Sequence, residues 1–292
     1  MIWPVKIIMP IGEEQTVYEP EYRVKLGFVR CWVAMVAGIA QSRELIVQLF
    51  YRDMLAASKQ SLLGIAWTWV SPLIGIASWL FLNQVGVLMP GKSDVPYPLF
   101  VLLGTTIWGV FMAVFTSAAS SLSANSNLIM HAHFSHQVLV AQQVAQASLS
   151  MVANLVLLAA AFTFFGVHPQ WTALFFPLSL VPLLLLGVGI GMIVSVLSIL
   201  VRDMTKVMTT LLGVLMFFTP VIYTPDVGNE VLQDLIWLNP LTYLVGGARD
   251  LMISGIIRDV QGYVVAVSFA VAVFLLSWRI FFISEQKVAE KL

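Results

Sequence analysis

One stretch of this chain matches a phosphate-binding pattern, and its surroundings decide whether the chemistry is possible. Residues 86–93 read GVLMPGKS, the GxxxxGK[ST] spacing of loops that hold nucleotide phosphates. Such a loop needs a strand before it and a helix after it, so that backbone amides face the phosphate. Here a membrane-length apolar block comes before the glycines, and Pro96 and Pro98 oppose a helix directly afterwards. We therefore predict no ATP site and no cofactor in this chain.

Three histidines lie close together, at His131, His133 and His136. The HxH spacing alone is weak support for a metal site, and no nearby cysteine or carboxylate completes a ligand set. A polar loop that contacts a partner protein is the favoured interpretation, so we predict neither a metal centre nor catalytic residues. The single Cys31 leaves no pair for an intrachain disulfide.

The composition assigns the chain to a membrane. Hydrophobic residues make up 59% of the 292 positions, charged residues only 10%, and the mean hydropathy is +0.91. The net charge is zero, so the overall charge gives no reason to expect a nucleic-acid partner. The apolar blocks carry almost no ionisable residues, which an ion-coupled carrier usually places inside its spans. We predict a transport subunit, not an enzyme, whose driving force comes from a separate ATPase chain.

Six apolar blocks have about the length needed to cross a hydrocarbon core of roughly 30 Å. They cover residues 62–88, 99–122, 138–165, 173–200, 207–223 and 263–283. Twelve of the fifteen Lys and Arg residues lie on the side that holds both termini, while Lys92, Arg249 and Arg258 lie opposite. By the positive-inside rule both termini face the cytosol. The phosphate-like loop then lies on the extracytoplasmic side, away from ATP.

The region before the first block divides into a tail and a helix. Residues 1–40 carry mixed charge and no signal-peptide core, so we expect a cytosolic tail there and a second one at 286–292. Residues 41–61 have the spacing of an amphipathic helix along the membrane surface, although Asp53 interrupts its apolar face. A helix packed on another protein is the alternative. The residues of the apolar face are Ile46, Leu49, Phe50, Met54 and Ala57.

Residues 202–255 do not read as an ordinary membrane hairpin. Arg202 and Asp203 open an apolar block that ends at Phe217-Phe218-Thr219-Pro220, and a partly polar hairpin follows it. Backbone that leaves helical geometry inside a bilayer must be buried in protein or line a wet cavity. The segment therefore predicts a pore or a gate.

Several groups of residues, in order along the chain, resemble motifs of the type-2 ABC transporter permeases that export polysaccharides such as O-antigen, capsule and teichoic acid. They are RELIV at 43–47, Arg52-Asp53, SLLGIAW at 61–67, Pro72-Leu73, Asn127-Leu128-Ile129 with Phe134, Arg202-Asp203 with FTPVIY at 218–223, and Asn239-Pro240-Leu241. The resemblance spans about residues 42–290. One departure is that His131 and His133 stand where family members often carry basic residues.

The resemblance implies an all-α integral membrane protein with six transmembrane helices over residues 62–285. It implies an amphipathic interface helix at 41–61 and a re-entrant extracytoplasmic hairpin at 224–257, between spans five and six. The implied location is the bacterial cytoplasmic membrane, where a second copy of the chain would pair around a channel for a lipid-linked polysaccharide. Two ATP-binding cassette subunits would bind ATP and Mg on the cytosolic side.

The resemblance also assigns roles to individual residues. Pro220, Asn239 and Pro240 are expected in the gate, where Asn239-Pro240 would break the hairpin between its two arms. Contact with the ATPase is expected from Arg43, Glu44, Arg52, Asp53, Asn127, His131, His133, Arg202 and Asp203. Aromatic rings, over which sugars slide without tight binding, are expected along the channel at Trp67, Trp69, Trp108, Phe111, Phe217, Phe218 and Tyr223.

Two other functions stay open at this point. A permease of the same fold could export a small molecule, a drug or a lipid. A membrane enzyme, such as a polyprenol-handling glycosyltransferase, would need acidic residues clustered at the interface. Asp203, Asp226 and Asp234 do not show such spacing.

Overall fold

The computed structural model describes residues 5–6, 16–17, 28–59, 67–86, 94–131, 134–225 and 228–289. In these ranges the chain is helical apart from loops and a short antiparallel pair, β1 (Val5–Lys6) and β2 (Thr16–Val17). The helices are α1 (Phe28–Gln41), α2 (Arg43–Lys59), α3 (Trp67–Gln84), α4 (Tyr97–Ala124), α5 (Ser126–His131), α6 (Gln137–Phe164), α7 (Phe176–Ser179), α8 (Val181–Leu200), α9 (Met204–Leu215), α10 (Glu230–Leu238), α11 (Pro240–Ile253) and α12 (Val260–Ala289). Short 3₁₀ turns at Trp171–Phe175 and Met216–Phe218 precede α7 and follow α9.

Four helical segments within the described part of the chain are long and apolar enough to cross a membrane. They are Tyr97–Ala124, Gln137–Phe164, Trp171–Leu200 and Val260–Glu285. At 1.5 Å per residue, a helix of 28 residues extends for about 42 Å, which exceeds a hydrocarbon core of about 30 Å. Membrane-length helices are thus confirmed at the second, third, fourth and sixth predicted spans.

The first and fifth predicted spans are represented by shorter apolar helices, Leu73–Gln84 and Met204–Phe218. Part of the first predicted block, residues 60–66 and 87–93, lies outside the described residues, as does most of the phosphate-like loop. The fifth block ends as a helix at Phe218, because Pro220 disfavours helical geometry in the residue before it. Thr219 is accordingly extended, with φ −117° and ψ 129°.

Helix α8 holds the core together because its glycines allow close contact on two sides. A Cβ at Gly191 would lie 2.6 Å from the Cβ of Ala118 and 2.8 Å from the Phe115 carbonyl oxygen, both on α4. A Cβ at Gly189 would lie 2.9 Å from the Cα of Phe274 on α12. The GxxxG pair that begins at Gly187 therefore serves packing inside one chain.

Helix α1 occupies part of the predicted N-terminal tail. The apolar run from residue 31 to 40 is too short to span a bilayer, but it packs against the C-terminal end of α12. Trp32 packs edge-on against Trp278 at a centroid distance of 5.4 Å, and the fully buried Met35 packs with Phe282. Tertiary contact with a distant helix, invisible in the local sequence, explains this element.

The two-sided packing of α8 predicts a difference between two glycine-to-alanine variants. Gly191→Ala forces a Cβ into Ala118 and the α4 backbone, and overpacking of this kind costs about 1–3 kcal/mol. Gly38→Ala on α1 meets no atom within 4 Å and gains helix propensity worth up to about 1 kcal/mol. Melting followed by fluorescence-detected size exclusion should show a midpoint several degrees lower for Gly191→Ala only. Equal midpoints would contradict the packing described here.

Candidate functional site

The chain between α9 and α10 forms a buried break in the helix. Thr219 is fully buried, and its Oγ1 donates a hydrogen bond to the Leu215 carbonyl at 3.0 Å. The Tyr223 hydroxyl donates to the Phe217 carbonyl at 2.7 Å. Inside an apolar environment, backbone groups released from a helix need such partners. Pro220, which we predicted in the gate, lies at the centre of this break.

Arg249 of α11 binds the break directly. Its Nη1 donates to the Pro220 carbonyl at 2.8 Å, and its Nη2 donates to the Val221 carbonyl at 2.6 Å. The guanidinium carbon lies 4.0 Å from the ring centroid of Phe100 on α4, in a cation–π contact. The Arg249 side chain is buried, and carbonyl dipoles and a ring face surround its charge. Three segments of the chain, α4, the break and α11, meet at this guanidinium.

Gly104 on α4 makes this meeting sterically possible. A Cβ at Gly104 would lie 2.0 Å from the Val221 carbonyl oxygen and 2.4 Å from Nη2 of Arg249. Any side chain at this position would therefore displace the break or the guanidinium. We call the contact of Phe100, Gly104, Pro220, Val221 and Arg249 the arginine clasp.

Asn239 ties the helical hairpin of α10 and α11 to the same break. Its Oδ1 accepts a hydrogen bond from the Leu241 amide at 3.0 Å and so caps α11, which begins at Pro240. Its Nδ2 donates to Thr219 Oγ1 at 2.8 Å. The prediction that Asn239 and Pro240 interrupt the hairpin between two arms is confirmed at the level of the helices.

Two reciprocal contacts attach α11 to α12. The Tyr243 ring lies against Gly262, where a Cβ would come within 2.2 Å of Cε1. The Tyr263 ring lies against Gly247, where a Cβ would come within 2.5 Å of Cδ2. Each helix thus contributes one tyrosine and one glycine. The hairpin is fixed by α12 on one side and by the arginine clasp on the other.

Charged side chains surround the outer end of the hairpin. Arg258 forms an ion pair with Asp94, and its Nε lies 3.6 Å from Oδ1 of Asp250. The hydrogen bond to Asp94 raises the pKa of the Arg258 guanidinium above its usual value. Burial raises the pKa of the Asp250 carboxyl, although the amide and the charge of Arg258 oppose this shift.

At the opposite end of the bundle, Arg52 and Asp53 connect α2 to two long helices. Asp53 Oδ2 accepts a hydrogen bond from Nε2 of the buried Gln142 on α6, at 3.0 Å. Nη2 of Arg52 lies 3.4 Å from Oδ1 of Asn125, which follows α4. Asp53, which interrupts the apolar face of the predicted amphipathic helix, is therefore a contact between helices.

The segment after α5 is held by the last helix. The His136 amide donates to Glu285 Oε1 at 2.7 Å, and both residues are buried. Nε1 of Trp278 donates to Oε1 of Gln137, also at 2.7 Å. Sequence analysis gave Glu285 and Trp278 no role, because only tertiary contact brings α12 to this segment.

The remaining predicted ATPase-contact residues that the structure describes lie on the surface of the protomer. Arg43 and Glu44 are exposed at the start of α2, Asn127 is exposed on α5, and Arg202 and Asp203 are exposed before α9. The side chain of His131 and all of His133 lie outside the description, so a role for either stays a prediction.

The predicted channel aromatics divide into two sets. Trp108 and Phe111 are buried in the protomer core, with ring centroids 5.3 Å apart. Phe217 and Phe218 are exposed, and Tyr223 is half-buried at the break. Trp67 and Trp69 lie on α3, but their side chains are outside the description.

The arginine clasp predicts different outcomes for two substitutions of arginine. Arg249→Met leaves the Pro220 and Val221 carbonyls without their charged donor, and such hydrogen bonds are worth about 1.5–3 kcal/mol each. Arg258→Met removes an exposed ion pair, usually worth no more than about 1 kcal/mol. Thermal melting in detergent should show a large loss for Arg249→Met and a small one for Arg258→Met. Equal losses would show that the clasp contributes no special stability.

The sequence of this chain is similar to those of known proteins along most of its length. The O-antigen export system permease protein RfbA of Myxococcus xanthus is 23% identical over 263 residues, which is 89% of this chain and 100% of that protein. A protein of the same name from Klebsiella pneumoniae is 24% identical over 219 residues, covering 74% of this chain and 82% of that protein. The profile of the ABC-2 type transporter family matches residues 44–253, which include nearly all of α2, the break and the whole hairpin of α10 and α11. The chain therefore belongs to the ABC-2 type transporter family.

Proposed function

We propose that this chain is the channel-forming permease of an ATP-driven exporter that moves a lipid-linked polysaccharide outward across the bacterial cytoplasmic membrane. The observation that carries the proposal is similarity to O-antigen export permeases along 89% of the chain. Six spans with both termini in the cytosol, and a hairpin that dips back from the outside, form part of the proposal.

The proposed channel lies between two copies of the chain. On α9 and the 3₁₀ turn after it, exposed apolar residues recur at spacings of four, three and four: Val207, Leu211, Val214 and Phe218. This stripe does not belong to the core of the protomer, and it ends at the break. We place the second copy and the transport path along it, with Phe217 and Phe218 as the aromatic residues nearest to the cargo. Trp108 and Phe111 are buried in the core of the protomer. In this proposal they therefore do not line the transport path but support the helices that do.

The gate in this proposal is the hairpin of α10 and α11, fixed to the end of α9 by Arg249 and Asn239. A movement of α9 would be passed to the hairpin through those bonds. Closure of two ATP-binding subunits on the cytosolic side would supply the movement as a rigid-body displacement of α2 and the segment around α5. The bond from Gln142 to Asp53 joins α2 to the long helix α6, along which the displacement would travel.

The proposal is tested by ATP hydrolysis in nanodiscs. The chain is purified with its candidate ATPase and assayed with and without the lipid-linked glycan made in the same cell. Stable copurification with glycan-stimulated turnover is expected. A complex that forms but ignores the glycan would favour export of a small molecule, drug or lipid. Failure to form a complex would contradict the ATP-driven mechanism.

The bond between Asp53 and Gln142 predicts a coupling defect that a double-mutant cycle can isolate. Asp53→Ala and Gln142→Met, which both remove the bond, should each lower glycan export about tenfold, the effect of ~1.4 kcal/mol, while ATP hydrolysis persists. If the bond transmits movement, the double variant should resemble either single one. Independent, multiplying losses would show that the two residues act separately.

A further inference from the structure

A cavity of about 190 Å³ opens beside the arginine clasp on the outer side of the hairpin. Its walls come from the start of α4 and the residue Asp94 before it, the break, both arms of the hairpin and the loop between α11 and α12. Sequence analysis assigned no role to this place. The residues used below are Asp94, Trp237, Tyr243, Arg249, Asp250, Arg258 and Asp259, all of which line it.

Two aromatic side chains form one side of the cavity. The rings of Trp237 and Tyr243 have centroids 5.6 Å apart and planes inclined at 48°. Trp237 keeps 37% of its surface exposed although it contacts Tyr243, so a flat apolar surface remains available to a ligand. The C–H face of a sugar ring is flat and apolar enough to cover such a surface, while its hydroxyl groups point sideways.

Charged side chains around the cavity can form hydrogen bonds with the hydroxyl groups of such a sugar. Three carboxylates (Asp94, Asp250 and Asp259) and two guanidinium groups (Arg249 and Arg258) line the cavity, which gives 2 − 3 = −1 formal charge. Carboxylates accept hydrogen bonds from hydroxyl or ammonium groups and repel other anions. This charge favours a neutral sugar or an amino sugar over a uronic acid.

The Arg249 guanidinium also lines the cavity. Its two Nη atoms bind the Pro220 and Val221 carbonyls, and its Nε, which has no hydrogen-bond partner among the described residues, is closed to solvent. Arg249 therefore contributes positive charge to the cavity, and the carboxylates supply the hydrogen-bonding groups that a ligand can reach.

From these contacts we propose that the cavity binds a single neutral or amino sugar residue of the exported chain as it leaves the channel. Drug-sized ligands occupy roughly 300–1,000 Å³, so this smaller space suits one ring and not an oligosaccharide. The inference rests on the proposed function for the source of the sugar. It goes beyond that function because it places a saccharide subsite on the outer side of the gate.

The test uses the full chain in nanodiscs and free methyl glycosides as probes. Saturation-transfer difference NMR is recorded with the methyl glycosides of glucose, mannose, galactose, N-acetylglucosamine and glucosamine, and with methyl glucuronide as the anionic comparison. We expect millimolar binding of at least one neutral or amino sugar and weaker binding of the glucuronide. Absence of binding by every neutral and amino sugar, or preference for the glucuronide, would overturn the proposal.

Variants of Trp237 assign the binding to this cavity. Trp237→Ala should weaken binding at least fivefold, whereas Trp237→Phe, which keeps a ring, should retain most of it. Trp171→Ala removes a more exposed tryptophan that does not line the cavity, and it should leave binding unchanged. Equal binding by Trp237→Ala and the native chain would overturn the assignment. Size exclusion verifies that each variant is folded.

The same samples separate this inference from the proposed function. Glycan-stimulated ATP hydrolysis without any binding of free sugars would contradict the subsite alone. Sugar binding that depends on Trp237, in a complex that ignores the lipid-linked glycan, would support the subsite and contradict polysaccharide export.

Discussion

The end of this protein that holds the helical hairpin depends on one constraint: where a helix is interrupted in an apolar environment, the backbone groups that it frees need hydrogen-bond partners. Helix α9 and the 3₁₀ turn after it end at Phe218, and the carbonyls of Pro220 and Val221 then accept hydrogen bonds from Arg249. A single guanidinium satisfies both carbonyls and rests on an aromatic ring. If the contact is broken, the guanidinium becomes an uncompensated buried charge and the two carbonyls lose their hydrogen bonds, and both changes are costly. The position of the hairpin follows from that contact.

The helices of this protein divide into a tightly packed centre and a peripheral helix that is partly exposed. Helices α4, α8 and α12 are packed backbone to backbone through Gly189 and Gly191, which leaves little room for sliding. Helix α9 instead carries an exposed apolar stripe and ends in the break. The bundle thus combines a rigid centre with a peripheral helix whose outer end is attached to the hairpin. In an exporter of the proposed kind, motion confined to the periphery would change the path without disturbing the centre.

Much of this architecture could be predicted from the sequence, and the misses have physical causes. Long apolar blocks identified four membrane-length helices, and Asn239-Pro240 identified the boundary between α10 and α11. Arg249 was counted only as an outward charge, although an arginine in an apolar hairpin is in itself a reason to look for buried partners. Helix α1 and the contact between His136 and Glu285 escaped prediction, because both depend on α12, more than a hundred residues further along the chain.

The arginine clasp also bears on the order in which the chain is made. Phe100, Pro220 and Val221 all precede Arg249, so every partner of the guanidinium has left the ribosome before it. In the proposed arrangement the hairpin dips into the membrane, where a lone arginine would cost up to about 2.5–3.5 kcal/mol on insertion scales. The growing chain avoids that cost if α4 and α9 are already assembled when α11 arrives. The hairpin of α10 and α11 then packs late during biosynthesis, onto a surface that α4, α9 and the break have already formed.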